Sequence, residues 1–167
     1  MIEVPRLSPN QNGRPGPIRC IVLHSDASPN EAGTLSWIQS PQSKVSYHIL
    51  VGRDGTCYRC VPDERRAWAV GYSAWRGVRD VNGCALNVAF ANLNNGKEPL
   101  TAAQIAAVKE VIAAWRAKWQ IEDVTTHQIV SRFADGKEFH VSPLTGKKVR
   151  RKHDPESAPN FSLAEFA

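Results

Sequence analysis

Three short stretches of the sequence place histidine and carboxylate side chains where they could hold a metal ion. His24 ends the apolar run CIVLH, His127 lies in VTTHQIV, and His153 and Asp154 lie in RRKHDPE near the end of the chain. Two histidines and a carboxylate are a common ligand set for zinc, and three protein ligands leave a fourth position open for water. Zinc lowers the pKa of such a water to about 7 and polarises a carbonyl group. The competing interpretation of RRKHDPE is a solvated basic segment.

These candidates lie at or near the ends of predicted elements, where mixed α/β folds often carry their site residues. RCIVL (19–23) predicts a buried strand, and TLSWIQ (34–39) predicts a short helix that ends before Pro41. Two β-rich runs flank Asp54-Gly55, so 45–61 predicts a hairpin. CALNVAFANL (84–93) and VTTHQIV (124–130) predict two further strands.

The strongest helix signal covers residues 102–119. Thr101 and Gln104 form a capping box before it. An apolar residue recurs every three or four positions, which predicts one face packed on a core; the residues are Ile105, Val108, Ile112, Trp115 and Trp119. The predicted fold class is therefore α/β, with a central mixed β-sheet flanked by helices in a single domain.

The chain divides into an arm and one domain. Residues 1–18 are rich in proline and predict an extended N-terminal arm, and 19–167 predict the domain. Within that domain, about 131–151 is strongly basic and has the pattern of a hairpin or a long loop, with turns at Asp135-Gly136 and Thr145-Gly146. The total of 167 residues suits one domain with its own core.

Composition narrows the class of protein. The chain is 42% hydrophobic and 22% charged, with a net charge of +5. That balance is typical of a soluble globular protein, and the mild positive charge favours polyanionic partners. The start of the chain predicts no signal peptide, and no apolar run reaches the ~18 residues of a membrane helix. We expect a cytoplasmic protein without stable membrane insertion, and a monomer by default.

The four cysteines are expected to be reduced in that compartment. CYRC at 57–60 resembles half of a zinc knuckle, but the chain has no second close pair. In a strand, Cys57 and Cys60 face opposite sides because they are three positions apart. We therefore interpret the cysteines as packing residues.

Three pieces of the sequence, IVLHSDAS, VSYHILVGRDGTCYRCVPDERRAWAVG and the THQ…KHDP order, resemble one family. They are similar to the type 2 N-acetylmuramoyl-L-alanine amidases, which include AmpD-like bacterial amidases, phage amidase endolysins and peptidoglycan-recognition proteins. The resemblance runs from about Arg19 to Pro155. It implies a Zn²⁺ cofactor and hydrolysis of the amide between N-acetylmuramic acid and L-alanine, with peptidoglycan or muropeptides as partners.

Carried over to this chain, the resemblance makes His24 and His127 the first two zinc ligands. The family's third ligand is a cysteine or aspartate two residues after a lysine and just before a proline, a frame that 152–155 fits as KHDP. Asp154 is then the ligand, and Lys152 is the catalytic cation that stabilises the oxyanion of the tetrahedral intermediate. His153 is a bystander in this frame, and it stays open as the alternative ligand because imidazole also suits zinc.

Tyr47 matches a tyrosine of the phage and recognition-protein branches, where it assists the zinc-bound water. The alternative for Tyr47 is a half-buried aromatic residue of a strand. His48, on the opposite side of that strand, is interpreted as a hydrogen-bonded structural histidine. Trp68 and Gly71 match groove positions and are predicted to bind substrate, with a core role as the alternative for Trp68.

The chain also departs from the family at two positions. AmpD-like enzymes carry a glutamate general base at the position of Ala89, which cannot accept a proton. They often carry a histidine at the position of Ala69 as well. The tyrosine–lysine version of the mechanism therefore fits this chain better, with the general base left open.

Three classes of function can be weighed against these observations. The favoured one is a zinc amidase, either a phage or prophage endolysin or, alternatively, a cytoplasmic AmpD-like enzyme that recycles muropeptides. The basic segment at about 131–151 is longer than the family's usual loop and is a candidate lid or wall-binding surface, with a solvated face as the simpler alternative. A second class is a muropeptide-binding module without catalysis, which the intact ligand frame disfavours. A nucleic-acid partner is not expected, because the basic residues cluster in one loop rather than along a helix.

Overall fold

The computed structural model describes residues 3–131, 139–141, 146–150 and 152–167. These residues contain ten short strands and three α-helices. The strands are β1 (Glu3–Pro5), β2 (Gln11–Gly13), β3 (Cys20–Ser25), β4 (Ile49–Val51), β5 (Cys57–Arg59), β6 (Arg65–Ala67), β7 (Ala85–Phe90), β8 (Asp123–Thr126), β9 (Phe139–Val141) and β10 (Lys148–Arg150). The helices are α1 (Glu31–Gln39), α2 (Ala102–Lys118) and the single turn α3 (His127–Val130).

Six of the strands form a mixed central sheet in the order β1-β5-β4-β7-β3-β8. The neighbours β4–β7, β7–β3, β3–β8 and β1–β5 run parallel, and β4–β5 is antiparallel. The antiparallel pair is the predicted hairpin. Its turn uses Gly55 at φ +88°, a left-handed conformation that glycine adopts without strain. The mixed sheet with helices confirms the predicted fold class.

Helix α2 covers one face of the sheet. Its capping box is complete, because the Thr101 side chain accepts from the Gln104 backbone and the Gln104 side chain accepts from the Thr101 backbone. Val108, Ile112 and Trp115 are buried against apolar residues of β3, β4 and β7. This is the face that the sequence periodicity predicts. The opposite face of the same strands is left to hold the site.

The predicted arm takes part in the fold. Strand β1 pairs in parallel with β5 at the edge of the central sheet, and β2 pairs antiparallel with β6. After β2, the Arg14 guanidinium donates to the carbonyl oxygens of Arg65 at 2.7 Å, Asp63 at 3.1 Å and Ala85 at 3.1 Å. The segment is extended and also contributes a strand to the sheet, which proline content alone did not reveal.

The basic segment carries the antiparallel pair of β9 with β10. The predicted turn at Asp135-Gly136, and Thr145 of the other predicted turn, lie outside the described residues. Gly146, which precedes β10, has a φ of +64°.

The four cysteines are free and buried. Cys57 packs in the cluster beneath α2 and Cys60 in the cluster beneath α1, so the two face opposite sides of the sheet as predicted. They are packing residues. Among the helices of the described residues, none combines the length and the apolar character needed to cross a membrane.

Candidate active site

Three candidate ligands converge at the edge of the sheet where the parallel strands β3 and β8 end. His24 lies on β3, and His127 directly follows β8, which pairs with β3 through Leu23 and Thr126. Asp154 approaches from the C-terminal segment. One donor atom from each of His24, His127 and Asp154 lies within 4.8 Å of the others. The structure therefore brings together the set that the sequence proposes, and the set contains Asp154 rather than His153.

The Asp154 carboxylate lies between the two imidazoles. Its Oδ2 is 3.1 Å from His127 Nδ1 and 3.7 Å from His24 Nδ1. The two rings are tilted, with centroids 4.7 Å apart. All three side chains are buried, at 1% exposure for His24, 8% for His127 and 6% for Asp154. Buried ionisable groups that face one another in this way are typical of a metal site.

His127 is held by a helical turn rather than by a strand. The sequence predicts a strand over 124–130, but β8 ends at Thr126 and α3 begins at His127. The reason is a cap: the Thr126 side chain accepts from the Ile129 backbone at 3.2 Å. The turn places His127 at its first position, facing Asp154.

The backbones of the other two ligand segments fix Asp154. The Ser25 backbone N–H, next to His24, donates to Asp154 Oδ2 at 3.3 Å. The Gln128 backbone N–H, next to His127, donates to the Asp154 carbonyl at 3.1 Å. The three ligand segments are therefore joined to one another directly.

The protonation states of Asp154 and His127 suit the binding of a cation. Burial alone would raise the pKa of Asp154, but attraction to His127 and His24 holds it well below its usual range, so Asp154 is a carboxylate. Burial lowers the pKa of His127, although Asp154 opposes that shift. A carboxylate and a neutral imidazole are the forms that bind metal.

The donor set fits zinc. His24 Nε2 lies 3.0 Å from Asn87 Oδ1, so the proton of this ring belongs on Nε2 and the lone pair of Nδ1 faces Asp154. Two imidazoles and one carboxylate match the protein ligand set of catalytic zinc sites.

An open groove of about 660 Å³ is lined by His127 and Asp154, and Tyr47 and Lys152 also line it. Tyr47 is buried, and its ring centroid is 5.3 Å from that of His24. Burial raises the pKa of Tyr47, and the nearby carboxylates of Asp154 and Asp26 raise it further. Its phenol therefore stays protonated at neutral pH. Lys152 is exposed on the rim.

A second part of the groove, also about 660 Å³, begins at His127 and Lys152 and contains both predicted substrate contacts. We call it the basic lobe. Its other charged and aromatic lining residues are Lys44, Arg66, Trp68, Tyr72, Arg79 and Asp80. Trp68 is half-buried, and its indole N–H donates to Asn12 Oδ1 at 2.7 Å. Gly71 is exposed beside it. The alternative of a core tryptophan is thus not what the structure shows.

Two neighbouring strand positions complete the surroundings of His24. Ala89 is its partner on β7, so the position of the family's glutamate is next to the site and carries only a methyl group. Asn87, two residues earlier, contacts the His24 ring, and the sequence analysis missed it. The only signal was one amide within the apolar run CALNVAF. His48 is fully buried and hydrogen-bonded outside the ligand set, which confirms its structural role.

Solved structures that share this fold include an N-acetylmuramyl-L-alanine amidase and a phage endolysin. The chain overlays an AmpD derivative with a TM-score of 0.70 at 23% identity, over 98% of this chain and 90% of that chain. It overlays AmiD from E. coli, in complex with anhydro-N-acetylmuramic acid-L-Ala-D-γ-Glu-L-Lys, with a TM-score of 0.62 at 25% identity, over 71% of this chain and about half (52%) of AmiD. A mutant structure of PlyL overlays with a TM-score of 0.60 at 21% identity, over 78% of this chain and 85% of that chain.

The family assignment rests on the sequence as well. A family model for N-acetylmuramoyl-L-alanine amidases matches residues 14–156, which include His24, His127 and Asp154. The chain belongs to the N-acetylmuramoyl-L-alanine amidase family. Hydrolysis of an amide in peptidoglycan is the class of activity that this membership defines. No curated protein matches the sequence.

Proposed function

We propose that the protein is a zinc-dependent amidase that cuts the bond between N-acetylmuramic acid and L-alanine in peptidoglycan. The observation that carries this proposal is the buried group of His24, His127 and Asp154, with donor atoms within 4.8 Å of one another. Two of the three, His127 and Asp154, line an open groove. A binding module without catalysis would not need a complete ligand set, so Asp154 favours the enzyme.

His24, His127 and Asp154 would hold the ion. Zinc bound there would supply Lewis acidity and lower the pKa of a coordinated water to about 7. Burial in this site strengthens the electrostatic interactions of the ligands with the cation. The backbone bonds from Ser25 and Gln128 to Asp154 keep the three side chains in place before substrate arrives.

Lys152 would stabilise the negative charge that develops on the substrate carbonyl oxygen. It lines both parts of the groove and lies two residues before Asp154 in the chain. Its ammonium group can therefore reach a carbonyl placed over the ligands. A cation aimed at a developing oxyanion acts mainly in the transition state.

Tyr47 would orient the attacking water and the carbonyl by hydrogen bonding. Because its raised pKa keeps the phenol protonated, it acts as a neutral donor and acceptor rather than as a phenolate base. Ala89, which packs in the same apolar cluster as Tyr47, offers no carboxylate for that task.

The basic lobe would take the peptide part of the substrate. Lys44 and Arg79 line it without a carboxylate partner among the ion pairs of the described residues, whereas Arg66 pairs with Asp80 at 2.8 Å. Stem peptides are acidic, so this charge is complementary to them. Trp68 offers an aromatic surface there. The space beside Gly71 is open, since a Cβ at that position would meet nothing within 4 Å, and this leaves room for the backbone of a peptide.

Within this activity, we propose the role of a phage or prophage endolysin that acts on the wall after release from the cytoplasm. Tyr47 and Lys152 together with Ala89, and the exposed cations of β10, support that role over the alternative of a muropeptide-recycling enzyme. The two roles differ in substrate: an endolysin cuts intact sacculi, and a recycling enzyme cuts soluble muropeptides.

The decisive experiment is digestion of purified sacculi and of soluble muropeptides, with and without a chelator, followed by mass analysis. Free stem peptides that begin with L-alanine, lost on chelation and restored by zinc, are the expected result. Intact glycan–peptide linkages, with protein still pelleting on the sacculi, would establish a binding module instead. Cleavage of muropeptides alone would establish the recycling role.

A further inference from the structure

The environment of His24 is asymmetric, and one side of its ring is controlled by a residue outside the ligand set. Nδ1 faces Asp154, and Nε2 faces Asn87 Oδ1 at 3.0 Å. Asn87 lies on β7, opposite Val22 in the register, and its side chain is on the same face of the sheet as that of His24. Both side chains are buried, at 0% and 1% exposure, so water does not compete for this hydrogen bond.

We propose that Asn87 is the positioning residue of the metal centre. By accepting a hydrogen bond from His24 Nε2–H, it fixes the tautomer and the rotation of the ring. The lone pair of Nδ1 is then available to the ion. Partners that hold the second nitrogen of a ligating histidine typically change metal affinity 10- to 100-fold when they are removed. The proposal rests on the proposed zinc site and assigns to it a residue that is neither a ligand nor a substrate contact.

The orientation of the amide follows from the same chemistry. If the Asn87 amide were turned round, its Nδ2 would donate to His24 Nε2, and the ring proton would then lie on Nδ1, which would block the metal side. In the orientation found, Nδ2 is a buried donor without a partner among the residues that the structure describes. An unpaired buried amide nitrogen costs free energy. The group of Asn87 that stabilises this arrangement is therefore its acceptor oxygen, which pairs with His24 Nε2.

The backbone of Asn87 is fixed independently of its side chain. Its N–H donates to His48 Nδ1 at 3.0 Å, and its carbonyl accepts from the His48 backbone at 2.9 Å. His48 Nε2 lies 3.1 Å from the Arg65 carbonyl, so its other nitrogen is also occupied. Burial lowers the pKa of His48 to about 3, so the ring stays neutral and keeps Nδ1 as an acceptor. Asn87 therefore holds its oxygen on a rigid support.

The test uses two variants with opposite effects on the acceptor. Asn87→Leu has a similar shape and no acceptor. Asn87→Asp keeps an acceptor oxygen and replaces the unused Nδ2 with a second oxygen, which also places a carboxylate charge beside His24. We expect Asn87→Leu to bind zinc 10- to 100-fold more weakly in competition with a chromogenic chelator. Asn87→Asp should bind at least as tightly as the wild type. Asn10→Leu removes a buried asparagine that bonds to Ile38 and Ser40, and this control should keep wild-type affinity.

A second measurement does not depend on zinc. Two-bond ¹H–¹⁵N correlation spectra of the metal-free protein report which nitrogen of His24 carries the proton. We expect the Nε2–H tautomer in the wild type and in Asn87→Asp, and a mixture in Asn87→Leu, or in Asn87→Ala if the leucine variant does not fold. A wild type that binds no zinc would overturn the proposed function, while the tautomer result would still decide the role of Asn87. Wild-type tautomer and affinity in Asn87→Leu would overturn the inference.

Discussion

Adjacent residues at the candidate metal site have opposite surroundings. Asp154 is buried at 6% exposure and contacts both histidines, whereas His153 is exposed at the groove. The sequence leaves either side chain as the third ligand, because both suit zinc and both lie in the KHDP frame. The geometry favours Asp154, and the two can be separated by experiment.

Asp154→Ala should abolish stoichiometric zinc, because the carboxylate supplies one of three protein ligands and its removal leaves two buried imidazoles facing each other. His153→Ala should keep zinc near one equivalent per chain. Metal analysis of the two purified variants, dialysed against the same buffer, gives the answer. The reverse pattern would assign the ligand to His153.

Lys152→Ala should keep zinc and lose turnover. Removal of one group that stabilises an oxyanion costs about 10²- to 10³-fold in kcat, because the interaction is made mainly in the transition state. Steady-state cleavage of a soluble muropeptide, with zinc content measured on the same samples, separates this effect from metal loss. A turnover within a few-fold of the wild type would remove Lys152 from the mechanism.

The ligand positions could be predicted from the family resemblance and, for His24, from the end of an apolar run, whereas Asn87 could not. His24 ends a buried strand, and ends of parallel strands meet at one edge of a sheet. Asn87 lies in the middle of β7, where the sequence gives no sign of which neighbour its amide meets. That depends on the register of β3 with β7, which pairs His24 with Ala89 and Val22 with Asn87. Registers between strands far apart in the chain are set by the whole core.

At the scale of elements, the sequence predicted those helices and strands whose caps and apolar faces lie close together in the chain. Helix α2 carries its apolar face within its own 17 residues, and its cap, Thr101, immediately precedes them; both are as predicted. Strand β1 has no such signal, because its pairing with β5 joins Glu3 to Cys57, far along the chain. The helical turn α3 was missed for a different reason: VTTHQIV is rich in β-formers, and one threonine cap overrides that propensity.

Strand β10 and the residues before it form an exposed basic surface next to the groove. Lys147, Lys148 and Arg150 are exposed, and Arg150 also lines the part of the groove that contains Tyr47. A cluster of like charges attracts a polyanionic wall, and salt screens that attraction.

Changing Lys147, Lys148 and Arg150 to glutamine should weaken binding to sacculi several-fold at low salt, with a smaller difference at high salt. Co-sedimentation with purified sacculi at two ionic strengths measures this. The matched control changes Arg6, Lys109 and Arg116, three exposed cations elsewhere on the surface, in the same way. Equal pelleting of both triple variants would mean that the basic surface of β10 is only solvated.

On the scale of the whole molecule, a buried polar network ties the N-terminal segment to the sheet and to α2. Arg14 lies 3.1 Å from His48 Nε2, and Asp63 accepts from the indole N–H of Trp115 at 3.0 Å and from Arg59 at 2.6 Å. Buried polar groups of this kind stabilise the fold only while each has its partner. His48 is the histidine of this network, and it takes up a proton near neutral pH only when the chain unfolds.

This network makes stability dependent on pH. The pKa of His48 is about 3 in the folded chain and about 6.5 when exposed, so below pH 6.5 the unfolded chain takes up a proton that the folded chain does not. The free energy of unfolding should therefore fall as the pH falls from about 6.5 towards 3, by about 1.4 kcal/mol per pH unit from this residue, or about 2 kcal/mol at pH 5. Above pH 6.5 both states are neutral at His48, and its contribution is constant.

His48→Asn isolates that contribution, because an asparagine oxygen can accept the Asn87 N–H in place of Nδ1 and does not titrate. We expect the variant to be less stable at pH 7, through lost packing against Trp115, and to lose less stability than the wild type between pH 6.5 and 5. Urea unfolding of both proteins across that range, with chelator present so that metal release is the same for each, measures the two slopes. Parallel slopes would mean that His48 is not kept neutral by burial, and the loss at low pH would then belong to other groups, His127 first among them.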